Sequence, residues 1–133
     1  MADLLELLKK LETLEAPSAE IDKEIALCFG QLTAGGIVIC GGYLGIADFT
    51  RDMQCAVRLC ADALPGWYWR CGCTPLFPNG WAHVSRHHAD HCDRADEASS
   101  ADGKAANPAI ALCIAVVKAR IANPSPQPRE TAP

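Results

Sequence analysis

The chain has 133 residues, half of them apolar, and a formal charge of −4. That length fits one domain with a core of its own. The weak negative balance excludes the basic field that duplex nucleic acid or an anionic membrane would require. The opening "MADLLELLKKLETLE" carries acids throughout, unlike the basic-then-apolar layout of a signal peptide. No apolar run approaches the roughly 20 residues of a membrane span. Of the eight cysteines, Cys28, Cys55, Cys60 and Cys113 lie inside amphipathic helical patterns. They read as buried free thiols of a reduced, cytosolic protein rather than as a disulfide scaffold.

Leu4, Leu7, Leu8, Leu11 and Leu14 recur at helical spacing and predict a first amphipathic helix over residues 3–15. Its 4-7-11-14 seam is a leucine stripe that suggests a homo-oligomer. Pro17 ends this unit, residues 1–17. Ser18 then caps a second helix, "AEIDKEIALCFG", with Gly30 as terminator. "GGIVICGG" is a β-branched run between glycines and reads as a strand. Thr50 is the expected cap of a third helix, "RDMQCAVRLCADAL", closed by Pro65 and Gly66.

"WYWRCGC" and "WAHVSR" alternate at period two around the turn chemistry of "TPLFPNG", so residues 67–86 predict a β-hairpin. Trp67 and Trp69 read as core-facing. Residues 87–106 hold almost nothing large and apolar and read as a polar surface excursion. Asn107 and Pro108 supply the N-cap and first residue of a last helix, "AIALCIAVVKAR", apolar nearly all round. The Pro-rich tail, residues 123–133, reads as disordered. The expected fold is α+β, a single domain over 18–122 with a small antiparallel sheet sandwiched by helices in an α/β/α arrangement.

Three blocks, "LLKKLETLEAPSAEIDKEIALCFG", "DFTRDMQCAVRLCADALPGWYWR" and "NPAIALCIAVVKAR", resemble the phage ABA sandwich domain proteins, small proteins of bacteriophages and prophages. The resemblance is carried by Asp22, Glu24, Ile25, Ala26 and Gly30, by Phe49, Thr50, Ala56 and the Leu64–Trp67 run with Trp69, and by Asn107 to Ala109, Ala111 to Cys113 and Lys118 to Arg120. It departs where the family's "SIDAAL" reads "DMQCAV" and where a strand valine is Cys71. It implies an α/β/α sandwich and a phage protein acting in the host bacterial cytoplasm. It implies no chemistry.

The stretch "SRHHADHCDRAD" raises a metal site. In the simplest hairpin register Cys71 faces His83, which with Cys73 and His87 makes an alternative zinc set. The expectation is nevertheless no metal, because the paired CxxC knuckle is absent and cysteines two apart on a flat strand are roughly 6–7 Å apart. No HExxH, GxSxG, CxxC or P-loop pattern occurs, so the chain reads as a non-enzyme without cofactor. What the hairpin does offer is guanidinium groups beside aromatic faces, the parts of a nucleotide site. Arg70, Arg86, Trp81 and Tyr68 are its candidates, with Arg51 at a helix start and Arg120 at a helix end. The reading is a non-catalytic binding protein, an anti-defence sponge that sequesters a nucleotide second messenger. A protein-binding inhibitor, a virion accessory protein or a small zinc-binding domain are the alternatives.

Overall fold

The computed structural model describes residues 4–29, 39–40, 43–44, 48–73, 79–86 and 100–123. In chain order these form α1 (Leu4–Glu12), α2 (Ala19–Cys28), β1 (Ile39–Cys40), β2 (Tyr43–Leu44), α3 (Met53–Ala63), β3 (Tyr68–Gly72), β4 (Gly80–Ser85), β5 (Ser100–Ala105) and α4 (Pro108–Ala122). β3, β4 and β5 make an antiparallel three-stranded sheet in that order, and β1 and β2 pair with each other. The class is α+β, as expected.

The centre of the molecule is α4. Every side chain from Ala109 to Val117 is buried, which a helix achieves only when it is surrounded. One side of α4 meets β3, β4 and β5; its other sides meet α1 and α3. Asn107 caps it, its Oδ1 accepting the Ile110 N–H at 2.8 Å, and Pro108 takes the first turn, where no N–H is needed. Ser18 caps α2 in the same way, through Ile21.

Two features differ from expectation. The sandwich has its helices stacked two deep on one face: among the described residues α4 is the helix layered on the sheet, with α1 and α3 behind it. The leucine stripe is consumed there, Leu7 and Leu11 being buried and Leu4 and Leu14 packed against the core. That stripe therefore supplies no exposed seam for self-association. The second difference is β5, which lies within the expected surface excursion. Its sequence, SADGKA, is unlike a strand because it packs by backbone rather than by bulk. A Cβ on Gly103 would lie 2.1 Å from the Ala111 carbonyl oxygen, so α4 rests directly on the strand. Gly80 plays the same part at the sheet's end, where a Cβ would meet the Asn107 carbonyl carbon at 2.2 Å.

Gly30, residues 87–99 and residues 124–133 lie outside the described residues, as does most of the expected strand at 35–42. Among the described residues no helix is long and apolar enough to cross a membrane.

Candidate functional site

Two groups of polar side chains stand out, one buried and one on the sheet.

The buried group gathers the starts of three helices. Thr50 is fully buried, and all its polar atoms are used. Its N–H and its hydroxyl both donate to Asp22 Oδ1 at 2.9 Å. Its Oγ1 accepts the Ser18 N–H at 2.9 Å, and its carbonyl accepts from Asn107 Nδ2 at 3.1 Å. The Cys113 thiol donates to the Phe49 carbonyl at 3.5 Å. Thr50 is thus not the cap of α3. That role falls to Asp52, whose Oδ1 accepts the Gln54 N–H at 2.9 Å. Burial pushes the Asp22 carboxyl up from its ordinary value and Asp48 adds to this, against the lowering effect of the Thr50 hydrogen bonds and of Arg51. Asp22, Phe49, Thr50, Asn107 and Cys113 all belong to the three blocks that carried the family resemblance. Their work at this point is to lock α2, α3 and α4 together.

The second group follows from strand register. Ala82 and Val84 on β4 are buried under α4, so alternation turns Trp81, His83 and Ser85 to the opposite face. Pairing then sets three rows across the sheet. Arg70, His83 and Asp102 form the middle row. Gly72, Trp81 and Lys104 lie on one side of it, and Tyr68, Ser85 and Ser100 on the other. Arg70, Asp102 and Lys104 are exposed, and no helix among the described residues covers this face.

Two contacts organise the face. His83 Nδ1 lies 2.6 Å from Asp102 Oδ1, a cross-strand pair whose carboxylate side chain remains 76% exposed. A Cβ on Gly72 would lie 3.6 Å from the Trp81 indole, so the ring lies over that bare stretch of β3. A glycine opposite a tryptophan leaves room for the indole against the neighbouring strand.

The six expected ligand-binding residues divide. Tyr68, Arg70 and Trp81 share this face, one in each row, with Arg70 exposed and the two aromatic residues part-buried. Arg86 follows β4 directly and is half-buried, at the parity of Ala82 and Val84 rather than that of His83. Arg51 is exposed in the turn that enters α3, on the helical side. Arg120 is tied into the scaffold: Nη1 donates to the Ala63 carbonyl at 3.2 Å, and its guanidinium stands 5.7 Å from the centroid of the Phe29 ring. It joins the ends of α2, α3 and α4. Trp67 is buried as expected, whereas Trp69, on the edge strand, is 43% exposed.

The alternative zinc set does not converge. β3 is shifted by one residue from the simplest register, so Arg70 rather than Cys71 faces His83. Cys71 pairs with Ala82 and lies on the α4 face; His83 is on the other. Cys73 is exposed beyond the strand, and His87 lies outside the described residues. Among the described residues no three ligand-type side chains come together. Nor do the inner thiols offer a nucleophile. Burial raises Cys60, to about 12, and also Cys55, Cys71 and Cys113, keeping each protonated.

Asp102 and Lys104 are not legible as site residues in the sequence because β5 is not legible as a strand. Gly103 was the available signal: a glycine among small residues marks a strand that a neighbouring backbone approaches closely. No protein-family model, curated protein or solved structure matches the chain.

Proposed function

We propose that this protein binds a nucleotide on the open sheet face without transforming it. It acts as an anti-defence sponge of phage origin, sequestering a nucleotide second messenger in the host bacterial cytoplasm. The observation that supports this reading is the row pattern: Arg70 in the middle row, with Trp81 and Tyr68 in the rows to either side. Guanidinium binds phosphate through charge-assisted, often bidentate hydrogen bonds, and an aromatic ring offers a stacking surface to a base. Sequestration rather than turnover is proposed because the sequence carries none of the HExxH, GxSxG, CxxC or P-loop patterns.

Calorimetry of the wild type and Arg70→Ala against cyclic di- and trinucleotides and ADP-ribose derivatives tests this. At least one should bind, and it should return intact, by mass spectrometry, when the protein is heat-denatured. If none binds, the protein-binding reading takes its place, an inhibitor or virion accessory protein that uses the exposed Trp69. Recovery of a converted product would make the protein an enzyme instead.

A further inference from the structure

We infer that Asp102, held in place by His83, reads the ribose of a bound nucleotide, so that this face prefers ribonucleotides to 2′-deoxynucleotides. The inference rests on the nucleotide reading above.

It begins from a misfit of charge. Arg70 and Lys104 suit a phosphate-binding face, but an exposed carboxylate stands in the same row as Arg70, with His83 between them. A phosphate is repelled there, and the cross-strand pair adds little stability on an exposed surface. A carboxylate is acceptor-only when ionised, so its natural counterpart in a nucleotide is a hydrogen-bond donor. The donors on offer are base amino groups and sugar hydroxyls.

Geometry separates these two. The Trp81 indole lies against Gly72 and the residue is part-exposed, so ring surface remains for a base. Asp102 is the diagonal neighbour of Trp81, since Trp81 pairs with Lys104 two residues along β5. Diagonal partners lie about 7–8 Å apart. That is the reach of the sugar carried by a stacked base rather than of the base over the indole. Arg70, across the middle row, is left for the phosphates. A carboxylate accepting from ribose hydroxyls is also how dinucleotide-binding sites read that sugar.

His83 supplies what an exposed aspartate lacks, a fixed direction. Its Nδ1 holds one carboxylate oxygen at 2.6 Å, so the group is oriented before a ligand arrives. His83 is a positioning residue in this arrangement and Asp102 the specificity residue.

The experiment titrates ATP and 2′-deoxy-ATP into the full chain and follows the Trp81 indole and the strand amides by NMR, which registers weak as well as tight binding. A hydrogen bond to a charged group gives a preference for ATP of about tenfold or more. Asp102→Ala should bring the ratio to near one without weakening 2′-deoxy-ATP. His83→Gln should reduce the ratio while also sparing 2′-deoxy-ATP, an outcome a merely structural pair would not give. Equal affinity of the wild type for the two nucleotides overturns the ribose role and leaves the nucleotide reading standing. A preference that survives in Asp102→Ala does the same. If neither nucleotide perturbs the face, the ribose role is overturned, and the nucleotide reading stands or falls separately on the calorimetry with cyclic nucleotides and ADP-ribose derivatives.

Discussion

Asp22 accepts two hydrogen bonds from one residue, taking the N–H and the hydroxyl of Thr50 on the same carboxylate oxygen, each at 2.9 Å. A buried carboxylate so placed links α2 to the turn before α3, and Asn107 extends the link to α4 through the Thr50 carbonyl.

This linkage has a pH signature. Burial holds the folded-state value of Asp22 above that of the unfolded chain, so the folded protein binds that proton more tightly. The contribution to stability is complete below the unfolded carboxyl's value and is lost as pH rises through the folded one. Asp22→Asn keeps an acceptor for Thr50 but has no proton to gain. Wild type should therefore lose stability relative to Asp22→Asn as pH rises above the ordinary carboxyl range, as read from urea midpoints of the two proteins. At pH 7 Asp22→Asn should lie within about 1 kcal/mol of wild type. Asp22→Ala should cost about 1–3 kcal/mol, because it strands a buried N–H. A wild-type advantage that grows with pH would show the charged form to be the favoured one.

Gly103→Ala should be among the most damaging single-methyl additions in the protein. Its Cβ would overlap the Ala111 carbonyl, which is backbone of the central helix and cannot step aside. Overpacking a core typically costs 1–3 kcal/mol, and a backbone clash puts this site at about 3 kcal/mol or more. Lys104→Ala, one residue on and exposed, should cost about 0.5 kcal/mol or less. Thermal melts of the two variants side by side decide it; comparable losses would mean that α4 does not sit on β5.

The arginines should sort by role. Arg70→Ala should weaken nucleotide binding roughly tenfold to a hundredfold while leaving the melting temperature nearly unchanged. Arg120→Ala should do the reverse, because its guanidinium satisfies the Ala63 carbonyl and covers Phe29. A loss of about 1–3 kcal/mol in stability with unaltered affinity is expected there. If Arg120→Ala impairs binding in a protein that melts normally, the ligand lies on the helical side.

Thiol labelling offers an independent check on the layering. Cys73 is exposed and should react with a maleimide before Cys28, Cys55, Cys60, Cys71 and Cys113. Cys60 and Cys113, buried and with their thiols pushed up, should stay unlabelled until denaturant is added. Peptide mass spectrometry over a time course reads the order directly. Rapid labelling of Cys113 in the native protein would contradict a buried α4.

The sequence shows its helices far more clearly than its sheet, for a physical reason. Helical periodicity is a property of side-chain bulk, and in α1, α3 and α4 the bulky residues mark the buried faces. β5 is held by backbone approach at Gly103 and carries no bulk to notice. Hairpin register was equally hidden. It decides whether Cys71 or Arg70 faces His83, and a slip of one residue exchanges a metal-like pair for a polar row. Thr50 looked like a cap because its chemistry suits one. Only tertiary structure shows its hydroxyl turned back to α2, leaving Asp52 to cap α3. Tyr68, Arg70 and Trp81 were legible as candidates from their residue types, while Asp102 became visible only when β5 joined the sheet.

The burial of α4 on every side also imposes an order of events during synthesis. The two layers that α4 separates, α1 and α3 on one side and the sheet on the other, are translated before it. Until α4 leaves the ribosome these elements have no common surface to pack on, so the nascent chain carries exposed apolar faces until nearly the last helical residue is made. Contacts between α1 and α4 join segments some hundred residues apart in the chain, and closing such separations slows folding. α4 thus acts as a latch delivered last, and a ribosome stalled before Pro108 would hold a chain unable to complete its core.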